Sequence, residues 1–211
     1  MTMTQPDPSI GDTQQGDQAT TFEPIPTRIR DARGGETPPL VLDPAASPEQ
    51  AAIRDNLDEL GSKLASVHRT AAEGYLSQGG YEQALPHLVA ASTFAPGEIE
   101  YRVQLGVVQY ICGDDAGAIR AFNEVISAED DNVEAWFNLG MVIFGQEQFS
   151  EAEHCFRRAS ELDPDDAQTW NNLGVCLWKL DRVEEAQRCF QSALEIDPED
   201  ADARFNLQHL V

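Results

Sequence analysis

Along residues 133–144 the apolar positions fall on two interleaved stripes. Trp136, Leu139, Gly140 and Ile143 stand at i, i+3, i+4 and i+7, the spacing of one helix face. Phe137, Met141 and Phe144 form a second stripe with the same period, so this predicted helix is apolar nearly all round. Ala152, Phe156 and Ala159 then predict a second helix, which Pro164 ends. The whole series recurs 34 residues later as Trp170, Leu173, Gly174, Leu177, Ala186, Phe190, Ala193 and Pro198. A fixed period of this length predicts helical units that stack on their neighbours and share no central core.

The same slots extend weakly in both directions. Residues 99–132 keep Leu105, Gly106, Ala118 and Phe122, with Arg102 in the Trp slot and Asp130 in the Pro slot. Residues 65–98 are degenerate: His68, Ala71 and Ala72 occupy the Trp, Leu and Gly slots, Leu88 replaces Phe, and Gly79-Gly80 makes the turn. Pro86 is expected to kink the second helix there. Repeats three and four span 133–166 and 167–200. Residues 201–211 begin a fifth copy with Arg204 in the Trp slot and Leu207 and Val211 in theirs, which predicts a short capping helix. Upstream, Ser47-Pro48 with Gln50 reads as a helix start. Ile53, Leu57, Leu60 and Leu64 continue at helical spacing, giving an N-terminal helix over 47–64 that Gly61 is expected to bend or break. Residues 1–46 hold seven prolines and no helical or strand period, so a disordered N-terminal tail is expected. Within it, residues 22–30 (FEPIPTRIR) are apolar and basic, a candidate docking motif for the protein's own groove.

Trp-x2-Leu-Gly, then Ala-x3-Phe, then Pro, at this period, resembles the tetratricopeptide repeat (TPR) family. The resemblance implies an all-α fold, a right-handed α-solenoid of about four helix-turn-helix repeats, with the first helix of each repeat lining a concave inner surface. It also implies a protein–protein interaction role without catalysis. The Trp, Gly, Ala and Phe slots are then framework.

Charge narrows the partner. Fourteen Lys and Arg face 37 Asp and Glu, for a net charge of -23. Such a chain is expected to bind neither nucleic acid nor an anionic membrane, both of which need a positive footprint. No apolar run is long enough for a membrane-inserting helix, and no secretory signal is visible, which predicts a cytoplasmic protein. Cys112, Cys155, Cys176 and Cys189 form no Cys-x2-Cys pair and read as packing residues in a reducing compartment. His68, His87, His154 and His209 are scattered, and neither a metal-ligand spacing nor a nucleophile or phosphate-loop motif occurs, so no enzyme activity, metal or cofactor is expected.

The candidate site is therefore a groove. If the first helices line it, the second stripe supplies Val103, Val107 and Tyr110 from repeat two, Phe137, Met141 and Phe144 from repeat three, and Asn171, Val175 and Trp178 from repeat four. Gln104, Asn138 and Asn172 recur beside them, with Asn206 beyond, and amides that both donate and accept can hold a peptide backbone. Some family members use such a ladder. Others clamp a terminal carboxylate with Lys and Arg; here the groove slots hold chiefly Arg69, Arg102 and Lys179, which argues against that mode. The expected partner is a peptide or protein segment with basic residues flanking its anchors. A bacterial secretion-type chaperone that shields a hydrophobic client is the rival reading, and a homo-oligomer is left open.

Overall fold

The computed structural model describes residues 47–210. The tail over 1–46, its segment 22–30, and Val211 lie outside the described residues. The described residues form nine α-helices and no strand. They are α1 (Pro48–Leu76), α2 (Tyr81–Phe94), α3 (Ile99–Ile111), α4 (Asp115–Ala128), α5 (Val133–Gly145), α6 (Phe149–Leu162), α7 (Ala167–Lys179), α8 (Val183–Ile196) and α9 (Ala201–His209). Each helix packs on the next in sequence, while α3 also touches α5 and α7 touches α9. The first helices of successive hairpins therefore make one layer and the second helices another.

Three devices repeat through this array. The first is a glycine that receives a phenylalanine ring. A Cβ on Gly106, Gly140 or Gly174 would lie 2.7, 2.9 or 2.6 Å from the ring of Phe122, Phe156 or Phe190. Each of those rings is fully buried. The glycines thus admit an aromatic ring.

The second device is the turn inside each hairpin. Gly79, Gly113, Glu147 and Asp181 all adopt positive φ, at 74, 82, 59 and 61°. Around them the N–H groups of Gly80, Asp114, Gln148 and Arg182 donate to the carbonyls of Tyr75, Gln109, Ile143 and Leu177. This is the Schellman arrangement, which satisfies carbonyls that a helix end would leave bare.

The third device pins the loop between hairpins. Trp136 Nε1 donates to the Asp130 carbonyl at 2.9 Å and Trp170 Nε1 to Pro164 at 2.8 Å. Arg102 and Arg204 occupy the same slot and donate to the carbonyls of Pro96 and Pro198. An arginine therefore does what the indole does: an N–H reaches the carbonyl six residues back. Asn132, Asp166 and Asp200 complete these junctions by capping α5, α7 and α9 through their side chains.

Two expectations change. The predicted boundary between a helix at 47–64 and a repeat at 65–98 is absent, because α1 runs unbroken for 29 residues. Gly61 does not break it. A Cβ there would sit 2.8 Å from the Phe94 carbonyl, so this glycine lets the end of α2 abut α1. α2 runs through Pro86 for 14 residues, with Ala84, Leu88 and Ala91 buried along it.

Candidate functional site

The second stripe faces along the first-helix layer, and the structure divides it by burial. Val103 is only 4% exposed and belongs to the core with Phe122 and Leu139. Asn171 is 8% exposed, and its Oδ1 accepts from Asn206 Nδ2 at 2.9 Å. Both were expected in the groove; both instead serve packing between repeats. The cause is distance: at these slots the next first helix lies close enough to cover the side chain.

The remaining positions are half-buried or exposed and run from helix to helix. Val107 leans on the core of repeats two and three. Tyr110 reaches towards α5, its hydroxyl 3.5 Å from where a Cβ on Gly145 would stand. Phe137 meets Phe156 edge-on at 5.7 Å, and Phe144 meets Phe149 at 5.4 Å. Met141, Val175 and Trp178 are half-buried against the core built around Phe156 and Phe190. Val107, Phe137, Met141, Phe144, Val175 and Trp178 are thus held from beneath by core contacts, while Tyr110 is exposed.

The amides are not an idle ladder. Asn138 Nδ2 donates back to the Glu134 carbonyl at 2.8 Å, and Asn172 Nδ2 points to Met141 Sδ at 3.5 Å. Gln104 Nε2 donates to Glu100 at 3.1 Å, while its buried Oε1 has no hydrogen-bond partner. Gln104 also borders a hollow of about 270 Å³ lined with it by Leu76, Tyr81, Val107, Val108, Ile111 and Glu134. Ile111, 49% exposed, was not picked out from the sequence. Its signal was there: it falls one helical step beyond Val107 and Val103.

Basic residues occur in both layers: α1, α3, α7 and α9 carry Arg54, Lys63, Arg69, Arg102, Lys179 and Arg204, while α4, α6 and α8 carry Arg120, Arg157, Arg158 and Arg188. Arg102 is already engaged by Glu124 at 3.2 Å as well as by its loop carbonyl, and Arg69 by Glu73 at 2.8 Å. Two of the three cations that might have formed a carboxylate clamp therefore have partners, and Glu100 and Glu134 lie beside the hollow.

His68 and His87 meet at 3.0 Å. Among the described residues no group of three or more His, Cys, Asp or Glu could hold a metal ion. Burial pushes the thiols of Cys155 and Cys189 up to about 11 and that of Cys176 up to about 12, so all three stay protonated at neutral pH. Cys112 differs from its expected packing role; it is exposed, at the end of α3. Among the described residues no helix is long and apolar enough to cross a membrane.

Known proteins agree with this architecture. Residues 131–199 match the family model described as tetratricopeptide repeat. MamA (residues 41 to the end) from Desulfovibrio magneticus RS-1 superposes with a TM-score of 0.66 at 22% identity, over 70% of this chain and 83% of that one. YrrB, described as a TPR protein with an unusual peptide-binding site, does so at 0.62 and 22% identity, over 76% and 82%. The first TPR of Spaghetti (RPAP3), bound to the HSP90 peptide SRMEEVD, gives 0.52 and 20% identity over 54% and 90%. No curated protein is a significant match. The family model falls on the third and fourth hairpins, so residues 131–199 are tetratricopeptide repeats, and the superpositions extend the same fold to the earlier hairpins.

Proposed function

We propose that this protein is a non-enzymatic scaffold or adaptor whose first-helix layer binds a peptide or protein segment. The observation that carries this reading is the run of supported but uncovered apolar side chains from Val107 and Ile111, through Tyr110, to Phe144 and Trp178. Contiguous apolar surface rimmed by polar groups marks interaction sites on soluble proteins. The free Gln104 Oε1 adds an acceptor for a backbone N–H of the bound segment, given a small side-chain shift to expose it. Glu100 and Glu134, with Arg69 and Arg102 already paired, favour a ligand with Lys or Arg beside its apolar anchors. Proteins of the same fold are described as peptide-binding, which fits this use of the layer. Three buried, unpaired thiols suit a reducing cytoplasm.

The test is selection of binding peptides from a random displayed library against the full chain and against Tyr110→Ala/Phe144→Ala/Trp178→Ala. The wild type selects short sequences with two or more large apolar residues flanked by Lys or Arg. The triple variant binds them at least tenfold more weakly, while its far-UV ellipticity shows the helices intact. Equal binding by a folded triple variant overturns the reading. Selection only of long unfolded clients, with no short sequence recovered, would favour the chaperone role instead.

A further inference from the structure

The N-terminal half of α1 stands outside everything described so far. At about 1.5 Å per residue α1 is ~43 Å long and α2 only ~21 Å, so α1 projects well beyond its hairpin partner. Residues 49–60 are exposed without interruption, and the first buried side chain is Ala65. Along this projection Ile53, Leu57, Leu60, Leu64 and Val67 follow one another at steps of four, three, four and three. They are 54, 62, 54, 38 and 65% exposed. Gly61, Ala65, His68 and Ala72, which meet α2, lie about 90° further round the helix. The exposed stripe is therefore not the packing face of the hairpin.

Steps of four and three average 3.5 residues, the spacing of a two-stranded coiled-coil seam and not of the broader face that packs inside a solenoid. Such a seam is complementary to itself. We infer that a second copy of this chain occupies it, the two α1 helices lying parallel and making the protein a homodimer. Three observations favour that occupant. No charged residue interrupts the stripe, although Arg54, Asp55, Asp58, Glu59 and Lys63 surround it. Glu49 and Arg54 flank it on opposite sides five residues apart, so in a parallel pair Glu49 of one copy faces Arg54 of the other. The five side chains expose on the order of 500 Å² per copy, or about 1,000 Å² for a pair before flanking groups are counted, which is the size at which specific interfaces begin. Two heptads are short for a free coiled coil. Here the helix is already ordered by its C-terminal half on α2, so pairing does not bear the cost of nucleation.

Sedimentation equilibrium of the full chain tests this without reference to the groove. The wild type is expected to sediment at twice 23.2 kDa at micromolar concentration. Leu57→Glu/Leu60→Glu, whose positions make no core contact, should weaken the dimer at least 100-fold and leave helicity unchanged. Ser62→Glu, on the far side of the helix, should stay dimeric. Arg54→Glu should weaken association about threefold, and adding Glu49→Arg should restore it. A monomeric wild type overturns the inference, as does a dimer that survives the double Leu substitution. Indifference to the Glu49/Arg54 exchange overturns the parallel arrangement.

Discussion

At the C-terminal end of the array Arg204 donates to the Pro198 carbonyl, Asp200 caps α9, and the chain turns sharply into a helix of nine residues. At the N-terminal end the matching slot holds His68, which faces His87 at 3.0 Å and stacks near Phe94 at 5.9 Å. There is no loop for it to pin, because the residues upstream are already helix. The comparison explains the degeneracy of the first repeat. A donor in the Trp slot serves to hold the preceding junction; where the junction is replaced by continuous helix, the slot is released to other uses. The same contrast appears in the core, where the later repeats seat Phe122, Phe156 and Phe190 on glycine and the first seats Leu88 in the layer of Ala72.

The sharpest way to break the comparison is to convert one core into the other. Gly174→Ala places a methyl 2.6 Å from the Phe190 ring and should cost about 2 kcal/mol in urea unfolding, after the helix preference of alanine is counted. Gly174→Ala/Phe190→Leu recreates the pair found at Ala72 and Leu88 and should recover roughly half of that loss, the two sites being in contact. A neutral Gly174→Ala would mean that the ring has room to move, and the distinction between the two cores would collapse.

How far these differences could be read in advance depended on what each residue does. The repeats were legible because small residues and aromatic residues alternate at fixed slots, and those choices follow from packing within one hairpin. Arg102 and Arg204 looked like departures from the pattern, since the shared property is an N–H at a given reach and not a residue type. Gly61 looked like a helix breaker because its partner, the Phe94 carbonyl, is remote in sequence. In the first-helix layer the stripe itself was legible, but its division was not: burial of Val103 and Asn171 depends on where the neighbouring first helix lies. Ile111 was passed over because it lies at the helix end, where it still borders the hollow.

The pinned junctions offer a smaller effect that separates the ends directly. Trp170→Phe keeps much of the apolar bulk and removes the bond to Pro164, so it should cost about 1 kcal/mol. Trp170→Arg should restore part of this by supplying the donor that Arg102 and Arg204 supply elsewhere. At the other end His68→Arg has no junction to hold and should give no comparable gain. The readout is the urea midpoint at constant slope. If Trp170→Phe matches wild type, the i to i−6 bond contributes nothing and the account of the degenerate slot fails.

Effects of about 1 kcal/mol or less should come from the hairpin turns, where the halves of the array again differ. Gly79 and Gly113 supply the left-handed residue in the first two hairpins, while Glu147 and Asp181 hold it at φ of 59 and 61° in the last two. An L-residue in that region bears about 1–2 kcal/mol of strain, less for Asp, whose short side chain can bond locally. Replacement by glycine relieves the strain but enlarges the freedom of the unfolded chain, which takes back about 0.4–1 kcal/mol. Glu147→Gly should therefore gain about 0.5 kcal/mol and Asp181→Gly less, whereas Gly113→Ala should lose about 1 kcal/mol. Thermal midpoints measured side by side on the three variants can resolve the order. Should Asp181→Gly gain more than Glu147→Gly, the lower left-handed strain of Asp is not what makes that turn tolerable, and the difference between the two C-terminal turns must lie in their packing.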